Sequence, residues 1–429
     1  MSGGRLSKGR MGGVYMGEII YDSYPNSKLL GAMRALTGVR DAVGIVHGRS
    51  CCHADSLLFH VLTSPNDDIR LVGSGMRAQD ISVGGHRKLS LAIRSAYKEF
   101  NPALIAILVA SVPTLMGDDV DGTITAMERQ IPCKICSFPC AGYQGHMNEG
   151  YEEVLSRLTQ YMIPSSHISD MVNIIGFKSD EPHGAANLGE VKRMLADQGV
   201  KVNAVLTSSS FEEIKTAPRA SVNVVLGGDG LGCARLMEEQ FGVPYVTVPY
   251  PFGWGQSIEF LERVTGALGK KLNQEIISQE KDRIKEKLQK VYTYLQGIYG
   301  LPAAVVGEGG RVFHLARFLS DEIGLKIKLL SVASKNPVLE EIKREDSYFE
   351  ELFITPDHFR MEEAIRAKDV EMIFGSTAEK RLSKELNIPL IRTAYPILDE
   401  VAISDMPHVG FKGIINLTEQ VINAVISSS

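Results

Sequence analysis

The chain has 429 residues, of which 44% are hydrophobic; single cores stop growing near ~250–300 residues, so two or three domains are expected. A formal net charge of -5 offers no basic field for phosphates, which argues against nucleic acid as a partner, and six cysteines in so long a chain do not form a secreted disulfide framework. The Gly-rich, basic stretch Met1–Gly13 lacks the apolar run of a secretory signal and no run of uncharged apolar residues is long enough to span a bilayer, so a soluble, cytoplasmic protein with no membrane partner is expected.

In chain order, short apolar runs alternate with amphipathic stretches, the pattern of parallel sheets covered by helices on both faces. Ala42–Val46 and Leu104–Val109 read as buried strands with a helix Arg87–Glu99 between them, and Ile131–Phe138 as a further strand. After the break at Pro164-Ser165-Ser166, strands are predicted at Met171–Ile175, Val202–Leu206, Val222–Leu226 and Tyr245–Val248, connected by helices Leu188–Ala196 and Cys233–Phe241. Residues Ile258–Ile298 read as two long helices bridging domains. A last cycle opens with Ala303–Val306, the turn Gly307-Glu308-Gly309-Gly310 and a helix Val312–Glu322, and continues with strands Lys326–Ser331, Glu371–Phe374 and Leu390–Arg392. The expected fold class is α/β: three Rossmann-like domains, each a mostly parallel sheet with helices on both faces, divided as 1–165, 166–299 and 300–429.

Three sets of residues invite chemistry. The glycine turn 307–310 follows a strand, as phosphate-binding turns do, but Phe313 stands where the last glycine of G-x-G-x-x-G belongs, so a nucleotide is not assigned. Cys133-Lys-Ile-Cys136, with Cys140 close behind, has a metal-like spacing, yet it lies in a predicted strand whose period sends Cys133 and Cys136 to opposite faces; these cysteines, and Cys233 within an amphipathic helix, read as structural. His47-Gly-Arg-Ser-Cys51-Cys52-His53 differs, because it follows a buried strand directly. Open α/β sheets put their sites at that carboxyl end, and here two thiols and two imidazoles crowd one short segment.

The segments Gly44-Ile-Val-His-Gly-Arg-Ser-Cys-Cys52, Gln79-Asp-Ile-Ser-Val-Gly-Gly85 and Met116-Gly-Asp-Asp119 resemble, in order and spacing, the N-terminal domain of nitrogenase component 1 subunits. Cys140-Ala-Gly-Tyr-Gln-Gly145, Met237–Pro244 leading to Pro249-Tyr-Pro-Phe-Gly253, Phe374-Gly-Ser-Thr-Ala-Glu379 with Tyr395-Pro396, and Val409-Gly-Phe-Lys-Gly413 extend the resemblance over nearly the whole chain. It implies three α/β domains and a cluster at a subunit interface. The three cysteines that a β-type subunit offers to such a cluster fall here on Ser27, Cys52 and Ser111, so only one is a thiol. Thiolate binds iron far better than a neutral hydroxyl, which argues against an eight-iron cluster and for an interfacial iron–sulfur cluster of [4Fe-4S] type.

On this resemblance Cys52 is the firmer ligand and Cys51 an uncertain neighbour. The assembly is a homodimer supplying both cysteines twice, or a heterotetramer with a second component-1-type subunit. His47 and His53 would hydrogen-bond cluster sulfurs or move protons, or else simply cap the turn. Leu226 stands where the α subunit's cofactor cysteine would be, and His408 is the only imidazole near the other cofactor ligand, which implies no large cofactor on this chain. Tyr250, Phe252 and Trp254 would line a cavity or simply pack. The implied activity is reduction of a bound substrate with electrons from an ATP-hydrolysing iron protein, ATP binding only on that partner. The alternatives are a scaffold for metallocofactor assembly and an assembly paralogue without a cluster.

Overall fold

The computed structural model describes residues 26–63, 70–333 and 348–428. Its strands form three wholly parallel sheets. The first has the order β2-β1-β3-β4, with β1 Ala42–His47, β2 Leu71–Gly73, β3 Leu104–Val109 and β4 Lys134–Pro139. The second has the order β6-β5-β7-β8, with β5 Ile168–Ile175, β6 Lys201–Val205, β7 Ala220–Leu226 and β8 Tyr245–Val248. The third has the order β11-β10-β9-β12-β13, with β9 Pro302–Gly307, β10 Lys326–Val332, β11 Leu352–Ile354, β12 Met372–Gly375 and β13 Leu390–Arg392. Helices cover both faces, so an inner strand such as β1 is buried at every residue and reads as an unbroken apolar run.

The cores do not stop at the sheets. Leu226, Tyr250 and Phe252 of the second share one apolar cluster with Val305, Phe318 and Phe374 of the third. Leu36, Leu108 and Phe138 of the first share another with Leu206, Val225 and Cys233 of the second. The closing helix Gly410–Ser428 returns to the second sheet, where Gly410 N–H donates to the Pro251 carbonyl and Lys412 N–H to Glu190 Oε1. Helices Lys28–Thr37 and Met147–Leu158 pack backbone to backbone: a Cβ on Gly31 would lie 1.7 Å from the Met147 carbonyl oxygen.

Several predicted elements shift. The strand expected from Ile131 begins at Lys134, because the Gln130 and Ile131 N–H groups still close the preceding helix on Met127. The stretch Ile258–Ile298 is three helices, Gly253–Ala267, Gln274–Gln289 and Tyr292–Ile298; left-handed Gly269 and the Asn273 cap make the first break. The short strands β2 and β11 and the helices Lys28–Thr37 and Ser50–Thr63 were not legible from pattern alone.

Candidate functional site

The His47–His53 segment is not a free turn. β1 ends at His47, Arg49 pairs with Met76 in a parallel bridge, and Ser50 starts the helix Ser50–Thr63, so both cysteines lie in its first turn. The Cys52 N–H donates to the Arg49 carbonyl at 3.1 Å. Cys51 is exposed and Cys52 half-buried; burial, and then the adjacent Cys51 thiol, push the Cys52 thiol upward.

Ser27, Cys52 and Ser111 come together. With Asp55 and Cys140 they line one open cavity of about 220 Å³ whose apolar wall includes Leu30 and Phe59. Three separate chain segments supply them. Ser27 caps the helix Lys28–Thr37, its Oγ accepting from Leu30 N–H at 3.3 Å. Ser111 opens the helix Ser111–Met116, and its Oγ accepts from Gly142 N–H at 3.0 Å. Cys140 follows β4 directly and is fully buried, which pushes its thiol up to about 12. Asp55, one turn beyond Cys52 on the same helix, was missed in the sequence; the i, i+3 spacing was the available signal.

Neither imidazole lines this cavity. His47 is fully buried, with Nδ1 3.0 Å from Ser74 Oγ and Nε2 2.8 Å from Asp118 Oδ2. Asp118 in turn accepts from Gly85 N–H, and Ser74 Oγ from Gly48 N–H. His47 therefore ties the Cys-bearing turn to the loop that ends the Ser111 helix, and the expectation of hydrogen bonds to a cluster gives way to one of positioning. Burial lowers its pKa, opposed by Asp118. His53 Nε2 approaches the Leu71 carbonyl at 3.3 Å, its ring packed on Gly73.

Of the cysteines expected to be structural, Cys140 lines the cavity, whereas Cys133, Cys136 and Cys233 pack into apolar clusters. Cys136 and Cys133 pack into different apolar clusters, on opposite faces of the first sheet, and Cys233 is buried in the core. Leu226, Tyr250 and Phe252 are core residues, whereas Trp254 borders an apolar groove with Ile284 and Leu288. His408 is buried against the His183 ring, centroids 4.2 Å apart.

The glycine turn after β9 serves packing. A Cβ on Gly310 would sit 1.9 Å from the Gly227 carbonyl oxygen, and one on Gly309 2.6 Å from Asp229 Oδ2. Its Glu308 belongs to an ion network that sequence reading missed, because partners as far apart as Arg34 and Glu308 leave no local signal. Arg34 Nε lies 2.6 Å from Asp180 and Nη1 2.9 Å from Glu308; Lys178 Nζ is 3.0 Å from Asp229 and 3.3 Å from Glu308. The Arg34 guanidinium also stacks 3.7 Å from the Tyr395 ring centroid. This network lies where elements bearing the three sheets meet.

Among the described residues, no group of three or more His, Cys, Asp or Glu side chains is arranged to hold a metal, and no helix is long and apolar enough to cross a membrane. The family model for nitrogenase component 1 type oxidoreductases matches residues 27–426. A component of the light-independent protochlorophyllide reductase from a Nostoc species is 23% identical, covering 95% of this chain and 84% of the relative. The nitrogenase vanadium-iron protein beta chain of Trichormus variabilis is 24% identical, covering 92% of each. The solved structure described as "Nitrogenase Cp1 at pH 6.5" superposes with a TM-score of 0.84 at 20% identity, over 96% of this chain and 95% of that one.

Proposed function

Because this chain belongs to the nitrogenase component 1 type oxidoreductase family, we propose that it is one subunit of a nitrogenase-like reductase that shares a [4Fe-4S] cluster with a partner subunit at the cavity beside Cys52. The family carries iron–sulfur clusters and works with an iron-protein component, and its members here are nitrogenase-like oxidoreductases. The observation that carries the finer reading is the convergence of Ser27, Cys52 and Ser111 from three segments on one cavity.

The donor set fits a shared cluster. Cys52 is the one thiol among those three positions, and thiolate is the iron ligand. The Ser27 and Ser111 hydroxyls already accept from backbone N–H groups and bind iron weakly as neutral donors. Cys51, exposed beside Cys52, is the second candidate. The remaining ligands then come from a partner, either a second copy or a second component-1-type subunit. Such a cluster supplies one-electron transfer when bound. His47, Ser74 and Asp118 hold the turn that aims Cys52, and the Leu30 and Phe59 wall excludes water from one side.

Electrons would arrive from a separate ATP-hydrolysing iron protein; the glycine turn of this chain is filled by its own packing, which supports placing ATP on that partner. Leu226, buried in the core, supports a chain without a large metallocofactor of its own. Domains at 1–165, 166–299 and 300–429 and a cytoplasmic location complete the reading. The test is anaerobic iron counting with EPR on wild type and Cys52→Ser. Loss of iron and of the cluster signal is expected; an unchanged spectrum would overturn the ligand assignment.

A further inference from the structure

Arg311 opens the helix after the glycine turn and is buried, its side chain only 9% exposed. Among the described residues, none of its three guanidinium nitrogens has a hydrogen-bond partner. Guanidinium stays protonated in proteins, and a buried charge without a hydrogen-bonding partner carries a large desolvation cost. Its neighbours do not meet that demand. Glu181 stands 3.7 Å from Nη1, and both of its oxygens accept from the Tyr250 hydroxyl, at 2.9 and 2.7 Å. Tyr250 and Phe252 present ring faces at 5.6 and 5.1 Å, a favourable but weaker contact. His183 and His408 are kept toward the neutral form, by burial first and then, among other neighbours, by Arg311 itself.

Arg311 lines a small, partly open space of about 20 Å³ together with Thr393, whose Oγ1 is also buried and has no hydrogen-bond partner among the described residues. Arg34, Lys178, Glu181, Glu308 and Tyr395 complete its polar walls. A space above ~10–15 Å³ admits a water-sized guest. A water would accept a hydrogen bond but add no charge beside that of Glu181, which stands beyond hydrogen-bond distance. The adjacent network has three carboxylates, Asp180, Asp229 and Glu308, for the two cations Arg34 and Lys178. That surplus opposes an anion, but the charged side chains that line the space itself are three cations, Arg34, Lys178 and Arg311, against two carboxylates, Glu181 and Glu308.

We propose that the space beside Arg311 is a binding site for a small monovalent anion of halide or formate size, held by the Arg311 guanidinium and the Thr393 hydroxyl. The site lies where the glycine turn seats against Gly227, so its occupant fastens the second and third sheets together. It does not depend on the cluster reading, and a failure of one leaves the other standing.

The test uses the full-length protein, purified anaerobically in its native assembly. Crystals grown in sodium bromide are expected to show an anomalous peak in contact with Arg311 and Thr393; water at full occupancy there overturns the proposal. Thermal unfolding at constant ionic strength is expected to give a saturable rise in midpoint with bromide and with formate over gluconate, which is too large to enter. The rise should vanish in Arg311→Met. An equal rise in both proteins overturns the site. Thr393→Val keeps the charge and the side-chain shape, so if Arg311→Met fails to fold, an undiminished anion response in Thr393→Val decides against it.

Discussion

Arg34→Met tests whether the ion network holds the three sheet-bearing regions together. The Arg34 side chain is 3% exposed and binds Asp180 and Glu308 simultaneously. Removing one partner of a buried ion pair typically costs about 3–5 kcal/mol, because the charge left behind stays buried. Glu308 gives an independent scale. Burial would raise its pKa, yet Arg34 and then Lys178 more than reverse this and hold it at about 2, against a usual 4.5. At about 1.36 kcal/mol per pH unit that difference is roughly 3 kcal/mol. The Glu308 side chain is 26% exposed, and solvent screening trims the figure to about 2 kcal/mol.

A depressed carboxylate contributes fully above its unfolded pKa, near 4.5, and loses its contribution as pH falls toward 2. The variant should therefore be less stable at pH 7 by roughly 3 kcal/mol, and the gap should narrow between about pH 4.5 and 2. Urea unfolding followed by the fluorescence of Trp254, the chain's single tryptophan, reports this. Adding Glu308→Gln should reveal a coupling above about 0.5 kcal/mol. An unchanged midpoint, or strictly additive effects, would refute the reasoning.

Gly310→Ala places a methyl group 1.9 Å from the Gly227 carbonyl oxygen, and backbone on both sides leaves little room to yield; a loss above ~3 kcal/mol, or insolubility, is expected. A midpoint near wild type would mean that the glycine turn is not seated there. Glu152, raised to about 7 chiefly by burial, behaves opposite to Glu308, because ionisation is costlier in the folded state. Its effect is nil below about pH 4.5, grows as pH rises toward 7 and is complete above that. Glu152→Gln, which keeps an acceptor for Gly230 N–H, should therefore be more stable than wild type at pH 8 and similar at pH 4; equal stability at both would count against it. Finally, Val83 and Leu115 are 70% and 73% exposed on adjoining helices, the second being the Ser111 helix. Leu115→Glu should shift the assembly toward smaller species in light scattering while the melting curve of the subunit persists.

The buried parallel strands were readable because both faces of each sheet are covered, which turns β1, β3 and β7 into continuous apolar runs. Short edge strands such as β2 and β11 carry no such signature. The helix Ser50–Thr63 was hidden because its first turn is Ser-Cys-Cys-His, which resembles a loop by composition, and few of its residues are buried. The family register pairs Ser27, Ser111 and Cys52 in the sequence itself, while local pattern alone singles out only Cys51, Cys52 and the two histidines. What neither could supply was orientation. Two imidazoles flank the cysteines in sequence, yet the His47 ring turns to Ser74 and Asp118 and the His53 ring to Gly73, partners distant in sequence that no local spacing announces.

One helix links the two features that sequence pattern could not connect. Lys28–Thr37 begins at Ser27, on the wall of the cavity, and two turns later carries Arg34, at the meeting point of the ion network. At 1.5 Å per residue these positions are ~10 Å apart along the axis. The helix is pinned along its length: Asn26 Oδ1 accepts from Met147 N–H, and Gly31 lies against the Met147 carbonyl. A rigid element held this closely cannot move at one end alone. A partner seated over the cavity would press on the Ser27 end, and the load would fall on Arg34, Asp180 and Glu308, not on a flexible loop. The network that ties Arg34 to Asp180 and Glu308 therefore also holds the cavity wall, so a change in Arg34 is felt in the same helix that presents Ser27 beside Cys52.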